Sequence, residues 1–211
     1  MNEIELLLRS PATLALLVAN IAISIAAFNN DKIIDQLMFD VGRMRRGKQW
    51  YRMVTSGFIH GDPLHLFMNM LALYFMGPYL EYFTTTSGFL IIYFGSLLAG
   101  SLWTWMEHFR DMSYRALGAS GAISGVTTAT AVFAPFVQIM AFFLLPMPLI
   151  VFAICYIVWS AWASRSNIRD GIGHGAHLGG ALAGIAIVCL FWPDAPRSAF
   201  DQFLQMLPTS I

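Results

Sequence analysis

A serine and a histidine stand in short glycine-rich strings inside apolar stretches, where lipid makes polar groups costly. Ser120 lies in the string Gly-Ala-Ser-Gly (118–121), and His177 lies in Gly-His-Gly-Ala-His-Leu-Gly-Gly (173–180). A serine hydroxyl becomes a nucleophile when an imidazole nitrogen about 3 Å away can take its proton. The two strings therefore predict a serine hydrolase that works at membrane depth, with Ser120 and His177 as its catalytic pair.

The composition fixes the class of protein that must position this pair. Of the 211 residues, 57% are hydrophobic and 11% are charged, and the mean hydropathy is +0.63. These values predict a polytopic membrane protein, with room for about six spans in one domain over residues 1–211. The formal net charge is zero, so bulk electrostatics gives no reason to expect a nucleic-acid partner. The fold class that we predict is an all-α membrane protein, a bundle of six transmembrane helices.

Polar stretches and prolines divide the chain into six apolar segments. We predict spans at about 11–28, 62–83, 88–107, 119–134, 148–164 and 172–192. The long connection 29–59 is amphipathic, which is typical of a segment at the membrane interface. Cys155 and Cys189 both fall in apolar runs and indicate no disulfide framework.

Alternation of direction places the second, fourth and sixth spans with their starts in one leaflet. The polar residues of the chain that could do chemistry lie at those three starts: His60, His65 and Asn69 on the second, Ser120 on the fourth, and His174 and His177 on the sixth. The topology therefore predicts that they converge on one side of the membrane.

Glycine spacing predicts that the fourth and sixth spans pack closely. Gly121 and Gly125 follow Ser120, while Gly180 and Gly184 follow His177, and such Gly-x-x-x-Gly faces let membrane helices approach each other. The structural alternative is that these glycines only join helices and that Ser120 bonds its own helix. Because both patterns occur together at helix starts on one side, they favour catalysis.

The negative charge of a tetrahedral intermediate also needs donors. The first-turn amides of the fourth helix lack intrahelical acceptors and lie at the positive end of its dipole. His65 and Asn69, one turn apart on the second helix, are candidates to add side-chain donors. The alternatives are an interhelical hydrogen bond for Asn69 and a satisfied interior histidine for His65.

Neither the fourth nor the sixth span contains an Asp or Glu, so the sequence predicts a dyad and not a triad. Zinc chemistry is disfavoured because no His-Glu-x-x-His string occurs and because His174 and His177 have no nearby carboxylate or cysteine in the sequence. The Gly-x-Ser-x-Gly elbow of soluble hydrolases is also absent, since Ala122 replaces its second glycine. We expect no metal and no cofactor.

The chain from about residue 49 to 184 resembles the rhomboid family of intramembrane serine proteases. The resemblance lies in five motifs: a Trp-Arg element (Trp50-Tyr51-Arg52), His-x4-His-x3-Asn (His60, His65, Asn69), Gly-x-x-x-Glu (Gly77, Glu81), Gly-x-Ser-Gly (Gly118–Gly121) and Ala-His-x-x-Gly-x-x-x-Gly (Ala176, His177, Gly180, Gly184).

The resemblance implies a six-helix protease in which Ser120 attacks a peptide bond in or near the transmembrane segment of a membrane-protein substrate. His177 would then act as general base and later as general acid. The Ser120 amide with the His65 and Asn69 side chains would form the oxyanion hole, while Arg52 and Glu81 would hold the structure.

The resemblance also assigns the fifth span (148–164) as the side door for substrate. Many rhomboids have an aromatic residue one turn after the nucleophile, stacked under the catalytic histidine, where this chain has Ser124. We expect Ser124 either to bond the imidazole or to leave it more loosely held.

Orientation has two conflicting indications. The family implies that the active-site side faces away from the cytoplasm, whereas most basic residues lie in the loops on that side, against the positive-inside rule. We follow the family and expect a bacterial plasma membrane, because the sequence has no transit peptide or added soluble domain.

Two other classes of function remain open. One is a catalytically silent rhomboid-like protein that binds membrane clients, and the presence of both Ser120 and His177 argues against it. The other is a small transporter with polar helix starts along its path, but the sequence has no internal repeat. The sequence gives no oligomeric state.

Overall fold

The computed structural model describes residues 3–141, 144–166 and 172–206, which are mostly helical. The helices are α1 (Glu3–Leu8), α2 (Pro11–Phe28), α3 (Asp31–Leu37), α4 (Val41–Gly47), α5 (Arg52–Thr55), α6 (Pro63–His108), α7 (Ser120–Phe133), α8 (Leu149–Arg165), α9 (His174–Phe191) and α10 (Asp194–Met206). A short 3-10 helix (Ser56–Phe58) follows α5. Two antiparallel pairs of strands join β1 (Phe39–Asp40) to β2 (Arg115–Ala116) and β3 (Gln138–Ala141) to β4 (Leu145–Pro148).

Helices cover each of the six segments in which the sequence predicts a span. By length and composition, three helices of the described chain could cross a bilayer, namely α2, α6 and α9. Helix α8 is apolar but has 17 residues, and α7 has 14. The described structure is therefore a helical membrane fold, and the count of six crossings stays a prediction.

Helix α6 is broken into two arms at Thr85, which has a left-handed φ of 72°. A straight helix of 46 residues would be about 69 Å long. Yet His65 near its start and His108 at its end line the same cavity. The chain therefore turns back at Thr85, between the predicted spans 62–83 and 88–107, and the arms 63–84 and 86–108 run antiparallel.

The buried carboxylate of Glu81 joins this turn to the start of α2. It accepts hydrogen bonds from the amides of Ala12 (3.1 Å) and Thr13 (2.9 Å), from the Thr13 hydroxyl (2.8 Å) and from the Thr86 hydroxyl (2.8 Å). First-turn amides lack intrahelical acceptors and carry the positive end of the helix dipole. Glu81 thus satisfies the start of α2 from another helix, which fits the structural role that the resemblance implies.

Helices α7 and α9 cross with their backbones in contact at the glycines. A Cβ atom at Gly180 would collide with the carbonyl oxygen of Gly121, and one at Gly184 would collide with that of Gly125. The second arm of α6 approaches as closely, because a Cβ atom at Gly100 would lie 2.5 Å from the Ala176 carbonyl oxygen. The glycine spacing thus fixes the distance between the two helices that carry Ser120 and His177.

The first long connection is folded as well as amphipathic. Arg52 is buried there and donates to the Gln49 side chain (2.7 Å) and to the carbonyl oxygens of Asp35 (2.9 Å) and Met38 (2.7 Å). Strand β1 pairs with β2, which ends two residues before Gly118. The connection therefore supports the loop that leads into α7.

The connection between α7 and α8 forms a hairpin. Strands β3 and β4 pair with Ile139 opposite Met147. The sequence predicts a connection over 136–147, of which residues 142 and 143 lie outside the described residues. Helix α8 then begins at Leu149, directly after Pro148, and so close to the predicted start at 148.

We predict that Gly180→Ala strongly destabilises the protein, because its methyl group would collide with backbone that cannot rotate away. Overpacking of this kind costs about 1–3 kcal/mol or more. Gly61→Ala is the matched control, since its Cβ atom would meet only a Leu117 methyl group at 3.5 Å. Thermal unfolding in detergent micelles should show a lower midpoint for Gly180→Ala and an unchanged one for Gly61→Ala. Equal midpoints for both variants would contradict the close backbone contact.

Candidate active site

One cavity contains all four residues that the sequence predicts for catalysis. Its volume is about 1340 Å³, and Ser120, His177, His65 and Asn69 are among its lining residues. It opens at the starts of α6, α7 and α9, which are the three helix starts that the topology predicts to share a leaflet. The fold thus brings these side chains together from positions up to 112 residues apart in the sequence.

Ser120 is the first residue of α7 and lines the cavity. It is partly exposed, while eleven of the 14 residues of α7 are buried. The preceding Gly118 has a φ of 119°, and its amide donates to the Ser56 carbonyl oxygen (2.9 Å). A Cβ atom at Gly118 would lie 2.7 Å from the His65 ring. Only glycine fits this backbone conformation and this contact, which explains the first residue of the Gly-x-Ser-Gly string.

His177 lies in the first turn of α9, since the helix begins at His174 and not at 172 as predicted. Gly173 has non-helical angles, and its carbonyl oxygen accepts from the His177 amide (3.1 Å). Gly121 follows Ser120 by one residue, and Gly180 follows His177 by three residues. The contact between these two glycines therefore lies close to both side chains. The two side chains therefore start from adjoining turns of crossing helices.

Ser124 supports His177 through another residue. Its hydroxyl donates to the Ser120 carbonyl oxygen (2.6 Å) and bonds the Tyr156 hydroxyl (2.6 Å). Tyr156 lies on α8, and its ring stacks on the His177 ring with a centroid distance of 5.9 Å and an interplanar angle of 27°. No sequence pattern singles out Tyr156; its only signal is the small Ser124 at a place where the resemblance leads us to expect an aromatic ring.

Asn69 and His65 lie one turn apart, as their spacing predicts. The Asn69 side-chain amide donates to the His65 carbonyl oxygen (2.9 Å), so its bond is within α6 and not to another helix. An amide nitrogen has two hydrogens, which leaves one available for a ligand in the cavity. The His65 ring faces Gly118 and meets the His60 ring edge to face at 5.0 Å.

His60 is a buried residue to which the sequence assigned only a place at a helix start. The Ala119 amide donates to its Nε2 atom (3.4 Å), so Nε2 is unprotonated and Nδ1 has the hydrogen of the neutral ring. Nδ1 then donates to the Ser24 hydroxyl (2.9 Å), which donates to the Phe58 carbonyl oxygen (3.2 Å). His60 therefore joins α2 to the residue immediately before Ser120.

Burial lowers the pKa of His60 from 6.5 to about 4; the nearby His65 lowers it further, while Asp62 acts in the opposite direction. The neutral form is the one that the two hydrogen bonds require, because protonation of Nε2 would place two donors face to face.

Acidic residues from the second arm of α6 and from the loop after it reach the cavity wall. Glu107 accepts from Trp103 (3.0 Å) and from Ser164, and its carboxylate lies against the backbone of Gly175. Two hydrogen bonds from Ser113 lower the pKa of Asp111 in the following loop. Within residues 3–141, 144–166 and 172–206, no three His, Cys, Asp or Glu side chains form a group that could hold a metal ion.

Comparison with known proteins decides the family. Residues 47–194, more than half of the chain, match the Rhomboid domain. The chain belongs to the rhomboid family. The motifs that carry the resemblance all lie inside the matched region.

Three relatives of this rhomboid show how much of each protein is shared. Rhomboid protein 1, mitochondrial, of Saccharomyces cerevisiae is 34% identical over 137 residues, which cover 63% of this chain and 39% of the relative. RHOMBOID-like protein 12, mitochondrial, of Arabidopsis thaliana is 24% identical over 204 residues, 89% of this chain and 59% of the relative. Rhomboid-like protein 11, chloroplastic, of the same plant is 30% identical over 164 residues, which cover 72% of this chain and 56% of the relative. The chain thus spans 39% to 59% of the length of these relatives.

We predict that this rhomboid loses stability as the pH falls from 6.5 towards 4. A histidine with a lowered pKa in the folded state binds its proton more readily when unfolded, so its stabilising effect is complete above pH 6.5 and declines below it. The loss from His60 amounts to about 3 kcal/mol across this window. Thermal unfolding between pH 7.5 and 4 should show a smaller decline for His60→Gln than for wild type. His108→Gln is the control, and a wild-type decline in His60→Gln would contradict the assignment.

Proposed function

We propose that this rhomboid is an intramembrane serine endopeptidase that cleaves peptide bonds in or near transmembrane segments of membrane proteins. Ser120 is the nucleophile and His177 is the general base. The observation that carries this proposal is the glycine crossing of α7 and α9, which holds the starts of both helices at one cavity. A helix pair that needed only to associate would not require a serine and a histidine on adjoining turns.

The reaction proceeds in two halves. In the first, His177 takes the proton of Ser120 as its oxygen attacks the substrate carbonyl, and then gives that proton to the leaving amine. In the second, His177 activates a water that hydrolyses the acyl-enzyme and releases Ser120. The large cavity above Ser120 is the route for that water, since the lipid side offers none.

The oxyanion formed in each half needs donors at the start of α7. First-turn amides without intrahelical acceptors point there, and the dipole of α7 favours negative charge. The free amide hydrogen of Asn69 and the His65 ring face the same cavity. The bond from Ala119 to His60 fixes the turn that aims these amides.

Six membrane crossings follow from this proposal in spite of the short α7. Fourteen residues make a helix about 21 Å long, against a hydrocarbon core of about 30 Å. Because α7 is buried among other helices, its ends need not reach the lipid headgroups. The remaining 9 Å or so is shared between the two ends of α7, so Ser120 lies below the interface, under the cavity.

A silent rhomboid-like protein that binds membrane clients is the alternative function. The names of the three relatives do not state an activity. The stacking of Tyr156 on His177 supports the protease, since a binding protein has no need of an oriented imidazole. The bacterial plasma membrane stays a prediction, because these relatives are named for mitochondria and chloroplasts.

Cleavage of a reporter substrate tests the proposed activity. The chain is co-expressed with a tagged single-span protein that has a helix-destabilised, small-residue segment near the interface. We expect a tag fragment with wild type and a loss of about a thousandfold or more in rate with Ser120→Ala or His177→Ala. Ser198→Ala, an exposed serine on α10, is the matched control and should cleave normally.

Two outcomes would contradict the protease. One is equal cleavage by wild type and Ser120→Ala, which would assign the fragment to another enzyme. The other is no cleavage of several substrates by folded wild type together with their co-purification, which would favour the client-binding function.

The proposed orientation puts the cavity on the side away from the cytoplasm. Three of the arginines that violate the positive-inside rule have structural partners: Arg43 bonds Asp35 (2.6 Å), Arg115 bonds Asp40 (3.1 Å), and Arg45 bonds a backbone carbonyl group. These bonds give the three arginines a structural role that is independent of the orientation of the chain in the membrane.

Cysteine labelling on intact cells tests this orientation. The background is Cys155→Ala with Cys189→Ala. In it, an impermeant thiol reagent should label Arg46→Cys, because Arg46 is exposed in the first connection, on the same side as the cavity. It should label Arg197→Cys on α10, at the far end of α9, only after the membrane is permeabilised. The reverse pattern would place the cavity in the cytoplasm.

A further inference from the structure

Tyr156 is an aromatic residue that contacts the proposed base and that the catalytic scheme does not use. It lies in the middle of α8, and its ring is stacked on His177 at a centroid distance of 5.9 Å. The ring is itself backed by Phe152, one turn earlier on the same helix, at 5.9 Å and an interplanar angle of 14°. Three rings thus stack from α8 towards the cavity.

The Tyr156 hydroxyl is fixed by a hydrogen bond whose direction can be assigned. The Ser124 hydroxyl has one hydrogen, and it donates that hydrogen to the Ser120 carbonyl oxygen (2.6 Å). In its bond with Tyr156 (2.6 Å), Ser124 must therefore be the acceptor and Tyr156 the donor. A short chain of bonds connects the ring beside His177 to the backbone of the nucleophile.

We propose that Tyr156 is a positioning residue for His177 and that it acts from α8. This proposal rests on the proposed protease function, in which His177 is the base. The stacked ring limits rotation of the imidazole, and its hydroxyl, held by Ser124, keeps the ring at a fixed height relative to Ser120. Ser124 thus has its role through Tyr156, in place of a direct bond to the imidazole.

The stacked ring also favours the charged form of the base during the reaction. When His177 takes the proton of Ser120 it becomes an imidazolium, and a cation over an aromatic face within about 6 Å is attracted by the ring. This attraction comes from the face of the ring and not from the hydroxyl. Phenylalanine at 156 should therefore retain most of the effect, and an aliphatic residue should lose it.

Labelling of Ser120 by a fluorophosphonate reports on the base without any protein substrate. In this reaction the Ser120 oxygen forms a bond to phosphorus, fluoride leaves, and His177 takes the proton. We expect Tyr156→Leu to slow labelling about tenfold, in line with the loss of an oriented catalytic group, and Tyr156→Phe to stay within about threefold of wild type. Trp159→Leu, an exposed aromatic residue of the same helix, is the matched control and should label as wild type does.

An NMR measurement of His177 tests the contact independently of activity. With 13C in the histidine rings, the His177 resonance is assigned as the one missing from the spectrum of His177→Ala. We expect this resonance to move in Tyr156→Leu, to move much less in Tyr156→Phe, and to stay unchanged in Trp159→Leu. If Tyr156→Leu does not fold, Tyr156→Met keeps most of the side-chain volume without the ring and replaces it in both measurements.

The outcomes separate this proposal from the proposed function. Labelling at the wild-type rate in the folded aliphatic variant overturns the positioning role and leaves the protease intact. An unmoved His177 resonance in that variant overturns the stacking contact. Folded wild type that is not labelled at Ser120 overturns the protease itself and, with it, any role of Tyr156 in positioning a base.

Discussion

The backbone contact between α7 and α9 is the constraint on which the rest of the structure depends. A methyl group at Gly180 would strike the carbonyl oxygen of Gly121, and one at Gly184 would strike the carbonyl oxygen of Gly125. Because lipid gives no hydrophobic drive between helices, close packing of small residues supplies the attraction. The contact also sets the separation of Ser120 and His177, so that stability and the geometry of the site have one cause.

Buried polar residues fix the segments that the glycine contact does not reach. Glu81 satisfies the first turn of α2, Arg52 satisfies carbonyl groups of the first connection, and His60 satisfies the amide before the nucleophile. An unsatisfied polar group costs several kcal/mol in an apolar medium, roughly 2–7 by transfer experiments. Each of these residues therefore holds a particular arrangement, since any shift would leave both a side chain and a backbone group without a partner. These hydrogen bonds stabilise the segments that surround the site.

The sequence predicted those features that depend on local pattern. Prolines and polar stretches predicted where the helices lie along the chain, and glycine spacing predicted that α7 and α9 pack closely. The sequence predicted the start of the sixth span at about 172, two residues before α9 begins at His174. The backbone angles of Gly173 decide this start, and the sequence pattern does not report them. Tyr156 was missed, since its bond to Ser124 depends on how α8 is rotated, and hydropathy does not report rotation in a helix surrounded by apolar atoms. The pairing of β1 with β2 was also missed, because two-residue strands have no periodic pattern.

The two halves of the proposed dyad are held to different degrees. Ser120 begins α7, in which eleven of 14 residues are buried, so packing fixes the helix that carries the nucleophile, although Ser120 itself borders the cavity. His177 is backed by a ring on α8, in which only Leu149, Ala153, Ser160 and Ala163 are buried among 17 residues. A displacement of α8 would thus leave the nucleophile and the oxyanion donors in place and remove support from the base alone. The support of the proposed base therefore depends on α8, of which few residues are buried, whereas the position of the proposed nucleophile depends on α7, of which most residues are buried.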